Sequence, residues 1–114
     1  MTLGRTLALG AMAGLLASTI AAAPVYAADT AISIDNFTYN PQQITMKAGT
    51  TVTWVNHDDI PHTVVSKTLI FKSKALDTDD KFSFTFTTPG TFPYFCSLHP
   101  HMTGSIVVEA DAGK

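Results

Sequence analysis

Cys96, His99 and Met102 are spaced C-x2-H-x2-M within Tyr94-Phe95-Cys96-Ser97-Leu98-His99-Pro100-His101-Met102. The cysteine is the only one in a chain of 114 residues, and two of the four histidines fall in this stretch. A thiolate, an imidazole and a thioether are soft donors suited to copper. A strong thiolate with a weak axial methionine describes a blue-copper electron-transfer centre. Such a centre needs a second imidazole, and His62, in Ile60-Pro61-His62-Thr63-Val64, is the candidate from a distant part of the chain. Zinc is the competing metal, but structural zinc sites favour Cys and His without Met. Taken singly, each residue reads as packing or surface, a lone cysteine above all as a small buried hydrophobe. Their joint spacing is what points to a metal. His101 is a rival to His99, which is preferred on its spacing to Cys96 and Met102. His57, beside Asp58 and Asp59, reads as a solvated surface residue.

The elements around these residues read as strands. Ala31–Asp35 alternates apolar and polar residues, as a half-buried strand does. A turn is expected from Phe37 to Pro41, then a short strand over 43–46 stopped by Lys47-Ala48-Gly49. Thr51–Val55 is dense in β-branched and aromatic residues, with Trp54 as core. His62 stands where a polar loop becomes a strand over 63–65. Residues 66–80 suit either an edge strand blunted by Lys67, Lys72 and Lys74 or a crossover loop tucking Phe71 inward. The aspartates at 77, 79 and 80 lack the glycine and terminal glutamate of a calcium loop. Strict alternation puts Phe82, Phe84 and Phe86 on one core face, and 91–96 is the strand that delivers Cys96. Pro93 within it donates no ladder hydrogen bond and implies an edge or a bulge. Pro100 biases His99 toward extended or turn backbone, and the last strand covers 105–108. Seven to eight strands without a helical period predict an all-β, two-sheet antiparallel Greek-key sandwich.

The first residues are not fold. Arg5 is the only charge before Asp29, and an apolar, Ala-rich run ends in Val25-Tyr26-Ala27. That pattern describes a secretory signal peptide, 1–27, with cleavage after Ala27 or, failing that, Ala28. The alternative is a retained membrane anchor, since the run approaches the roughly 20 residues of a spanning helix; Pro24 and the cleavage site weigh against it. Residues 28–114 then form one small domain, near the size at which a core alone is marginal. An exported lone cysteine is a liability unless something occupies it, and metal ligation answers that. The net charge of −2, with Arg5 the only arginine, argues against a nucleic-acid partner.

The chain resembles the cupredoxins, with the short ligand spacing of the amicyanin branch of the plastocyanin-like proteins. The resemblance rests on Val52-Thr53-Trp54-Val55-Asn56, Pro61-His62, Pro89-Gly90-Thr91-Phe92, Tyr94-Phe95-Cys96, His99-Pro100, Met102 and Gly104–Val108, and covers the chain after residue 30. It implies one copper ion on His62, Cys96, His99 and Met102, cycling between Cu(II) and Cu(I). It also implies that Asn56 braces the ligand loops by bonding near Ser97, and that the Thr63 amide points at the Cys96 sulfur. Electrons would pass through the exposed edge of His99, with Pro61, Leu98, Pro100 and His101 docking the partner. The expected protein is no enzyme but a monomeric periplasmic electron carrier, without a membrane in its mature form. Its transient partners would be redox proteins such as a periplasmic dehydrogenase or cytochrome c. The alternative is a periplasmic carrier that delivers copper, to which His57 and His101 would be suited.

Overall fold

The computed structural model describes residues 29–111, so the expected leader lies outside the described residues. Eight strands follow in order: β1 (Asp29–Asp35), β2 (Thr38–Asn40), β3 (Gln43–Lys47), β4 (Thr50–Asn56), β5 (Val65–Ser66), β6 (Lys81–Phe86), β7 (Gly90–Cys96) and β8 (His99–Glu109). They form two four-stranded sheets, ordered β2-β1-β4-β6 and β3-β8-β7-β5. This is the expected all-β sandwich, with one correction. The sheets are mixed, because β1 runs parallel to β4 and β3 parallel to β8. Only β1–β2 and β7–β8 are consecutive strands of one sheet; every other connection crosses to the opposite sheet. A tight hairpin forces antiparallel pairing, whereas a crossover leaves the direction free.

The core lies between the sheets. Strand β4 alternates buried and half-buried residues, and Trp54, fully buried, packs against Phe71, Phe82, Phe86 and Tyr94. On the outer face, hydroxyl pairs Thr51–Thr85 and Thr53–Ser83, each 2.7 Å apart, tie β4 to β6. Among the described residues, the buried indole N–H of Trp54 and the buried hydroxyl of Tyr94 find no well-formed hydrogen-bond partner. Burial pushes the Tyr94 phenol up to about 12, and the nearby Trp54 indole offsets this only in part. Gly104 is required beneath that ring, since a Cβ there would collide with Cζ and the hydroxyl of Tyr94.

Two local readings change. The turn expected from Phe37 to Pro41 is a two-residue turn, Asn36–Phe37, followed by β2. Both residues have positive φ, 54° and 58°. Asn accepts that backbone readily, whereas for a bulky residue such as Phe the left-handed region costs roughly 1–2 kcal/mol. The strand expected over 63–65 shrinks to β5, preceded by a single bridge between His62 and Leu76. After β5 the chain takes the crossover form, burying Phe71 and leaving Leu69 and Ile70 exposed. Pro93 is tolerated because it stands where the β5 pairing ends: beyond Ser66–Tyr94, the Lys67 amide donates to the Pro93 carbonyl at 3.0 Å, and the ladder stops where Pro93 has no N–H to return.

Candidate metal centre

The β7–β8 hairpin builds one half of the site. Its ladder shifts register between Phe95 and Cys96, and Cys96 then pairs with His99 across the two-residue turn Ser97–Leu98. What the sequence suggests as a ligand loop is therefore a tight hairpin, with His99 and Met102 already on β8. The turn swings the imidazole back over the thiol, so that Cys96 Sγ and His99 Nδ1 stand 3.6 Å apart. Cys96 is fully buried, Met102 is buried in the same apolar cluster, and His99 is half-buried.

His62 brings the other half. Its backbone exchanges two hydrogen bonds with Leu76, at 3.1 and 2.7 Å, and the residue is fully buried. Its Nδ1 lies 3.8 Å from Cys96 Sγ, and the donor atoms of His62, Cys96 and His99 all fall within 4.8 Å of one another. Two donors each about 2.1 Å from a trigonally bound ion stand about 3.6 Å apart. The separations thus fit one ion among the three, and the thiol, imidazole and thioether types fit copper.

The surroundings hold these donors in place. The Thr63 amide donates to Cys96 Sγ at 3.3 Å, while Thr63 Oγ1 accepts from the Ser97 amide at 2.7 Å and lies 2.8 Å from its hydroxyl. The Thr63 carbonyl accepts from the buried Tyr39 hydroxyl at 2.6 Å. Burial, with smaller contributions from Cys96 and Tyr94, drives the Tyr39 phenol well above its ordinary range. The brace expected between Asn56 and the neighbourhood of Ser97 is not made by Asn56. Its Nδ2 donates to the Ile60 and Leu76 carbonyls at 2.9 and 2.8 Å, and its Oδ1 accepts from the Asp58 amide. Asn56 ends β4 in the opposite sheet and spends its amide shaping the 56–62 loop. Thr63 lies between the two halves and takes the bridging role.

Two residues escape the sequence reading. Asp58, grouped there with the solvated loop, places Oδ2 2.7 Å from His62 Nε2 and also accepts the amides of Asn36 and Phe37 at 2.6 and 2.9 Å. Partial burial works to raise its carboxyl, but the hydrogen bonds from Phe37, Asn36 and His62 outweigh this and hold it below the ordinary value. The available signal was the i, i+4 spacing of Asp58 and His62. Phe37 sets its ring edge-on to both His62 and His99, with centroids 5.4 and 5.1 Å away. No local pattern announces that contact. Outside, Phe37, Leu98, His99, Pro100, His101 and Met102 line a depression of about 450 Å³. Pro61 is exposed but does not line it, and His57 is exposed outside the donor cluster.

Comparison with known proteins agrees with this arrangement. A family model for the cupredoxin-like domain matches residues 6–108. The amicyanin of Paracoccus versutus is 37% identical over 95 residues, covering 79% of this chain and 72% of that protein. Among solved structures, a purple cupredoxin from Nitrosopumilus maritimus superposes with a TM-score of 0.67 and 34% identity, covering 71% of this chain and 100% of that one. An amicyanin variant in its Cu(I) form gives a TM-score of 0.67 and 34% identity, covering 75% and 86%.

Proposed function

The chain belongs to the cupredoxin-like family, and from that premise we propose that it is a periplasmic blue-copper electron carrier. One copper ion is held by His62, Cys96, His99 and Met102. The observation that carries this reading is the convergence of Cys96 Sγ with the Nδ1 atoms of two histidines. Bound there, copper supplies a one-electron Cu(II)/Cu(I) couple. The protein residues do the rest. Buried Cys96 and His62 keep water from the donors, and the Thr63 amide fixes the sulfur lone pair to which it donates. The β7–β8 hairpin holds His99 at the surface, where its edge opens into the apolar depression beside Leu98 and Pro100. A small apolar contact suits a brief encounter with a redox partner such as a dehydrogenase or cytochrome c, since such interfaces fall at the small end of the range. Four protein donors crowd one position, which suits carrying electrons better than catalysis on a bound substrate. Export rests on the leader read in residues 1–27, and the carrier acts as a monomer.

Titration of the purified protein with Cu(II), followed in the visible range, tests the reading. An intense blue band should grow to one equivalent, bleach with ascorbate and return with oxidant. A colourless complex that passes copper readily to a chelator supports the delivery role instead. The exposed imidazole of His101, beside His99 in the depression, is the observation behind that second reading.

A further inference from the structure

We propose that Asp58 is a positioning residue for the metal centre. Its single carboxylate fixes the His62 ring and, through the same atoms, the aromatic wall formed by Phe37. The inference rests on the copper reading of the site. Four observations meet at this side chain. Oδ2 lies 2.7 Å from His62 Nε2, and the carboxylate accepts the amides of Asn36 and Phe37. Those amides belong to Asn36 and Phe37, two consecutive residues of positive φ, one of them a phenylalanine that strongly disfavours it. Asp58 is itself anchored, its amide donating to Asn56 Oδ1 at 2.9 Å and its carbonyl accepting from Thr78 Oγ1 at 2.6 Å.

A carboxylate accepts and does not donate, so it holds the imidazole proton on Nε2 and leaves the Nδ1 lone pair facing Cys96 Sγ. Partners of this kind on the far side of a ligand imidazole orient the ring and raise its basicity. The negative charge behind the ring favours the more highly charged oxidised ion and so lowers the reduction potential. The carboxylate also holds the strained Asn36–Phe37 turn closed, which keeps the Phe37 ring edge-on to both imidazoles. His99 has no such support: among the described residues no carboxylate bonds its ring, which faces the Cys96 thiol and the rings of Phe37 and His62.

The test uses two variants of the full chain. In the metal-free protein, nitrogen–proton correlation spectra of the His62 ring should show one tautomer, protonated on Nε2 and protected from exchange. Asp58→Ala should give mixed tautomers or a rapidly exchanging ring proton. Asp58→Asn keeps an acceptor oxygen but loses the charge, so with copper it should retain the blue band at a higher reduction potential. The expected change is about tenfold in the ratio of Cu(I) to Cu(II) affinity, or about 59 mV for a one-electron couple. An unchanged His62 tautomer in Asp58→Ala overturns the orienting role, and an unchanged potential in Asp58→Asn overturns the electrostatic one. If Asp58→Ala does not fold, the Asp58→Asn potential decides. If the wild-type protein forms no blue complex, the copper reading fails while the metal-free spectra still decide whether Asp58 orients His62.

Discussion

The two histidines of the proposed copper site, His62 and His99, sit on opposite halves of it and are held by different means. His62 is fully buried, bonded through its backbone to Leu76 and through its ring to Asp58. The following Val64 is pinned by Ser73, whose hydroxyl accepts from the Val64 amide and whose amide donates to the Val64 carbonyl. His99 depends on one hairpin, with ring edges from Phe37 and His62 against it and the remainder open to the depression. The contrast separates two tasks. On the proposed reading, one arm sets the geometry against the scaffold, and the other would present the centre to a partner.

Exchanging the two arms gives the largest expected effect. His62→Gly and His99→Gly should each abolish the blue band. Added imidazole should restore it in His99→Gly, where the vacated space opens outward, and fail in His62→Gly, where the space is sealed. Equal rescue of both, read from visible spectra, breaks the comparison. Next in size is the scaffold beneath the His99 arm. Gly104→Ala should destabilise the fold by about 1–3 kcal/mol through overpacking against Tyr94, measured as a lowered urea midpoint.

Thr63 links the arms, and Thr63→Ala should cost about 1–2 kcal/mol by leaving the Ser97 amide without its acceptor. Thr63→Ser should recover most of that loss in the same urea titration, because it keeps the hydroxyl. The smallest effect is expected from alkali. Tyr39, which supports the His62 arm through the Thr63 carbonyl, and Tyr94 both have phenols raised by burial. The fold therefore favours their neutral forms. That contribution is complete below about pH 10 and declines as pH rises toward the raised values. Denaturation midpoints should fall over that range, together with a delayed phenolate absorbance.

The convergence of Cys96 and His99 was legible because they share one short segment with Met102 that has few alternative readings. The strand pattern of 31–35, 51–55 and 82–86 was legible for a similar reason, since period-2 alternation reports a buried face directly. Parallel pairing of β1 with β4 was not, because strand direction after a crossover leaves no trace in composition. The role of Asp58 was hidden by its neighbours. In His57-Asp58-Asp59 all three side chains look solvated, and only the fold turns one of them toward His62. Phe37 reads as the beginning of a turn, and nothing nearby tells that its ring reaches imidazoles 25 and 62 residues further on. Asn56 is the converse case: a buried polar residue must find partners, but its type does not say which, and it bonds Ile60, Leu76 and Asp58 rather than the neighbourhood of Ser97.

The crossing connections between the sheets also govern the order in which the site is assembled. Chains dominated by contacts distant in sequence close slowly, on the order of milliseconds to seconds for sandwiches of this kind. An unfolded chain already carries Cys96, His99 and Met102 close together in sequence, so on the proposed copper reading a soft ion would meet those three donors before any sheet exists. His62 joins them only when the β5–β7 pairing and the Leu76 bridge have formed. On that reading, capture of the ion and the appearance of colour would be separate events in time. In a refolding experiment with copper present, the blue band would serve as a clock for the closing of the sandwich.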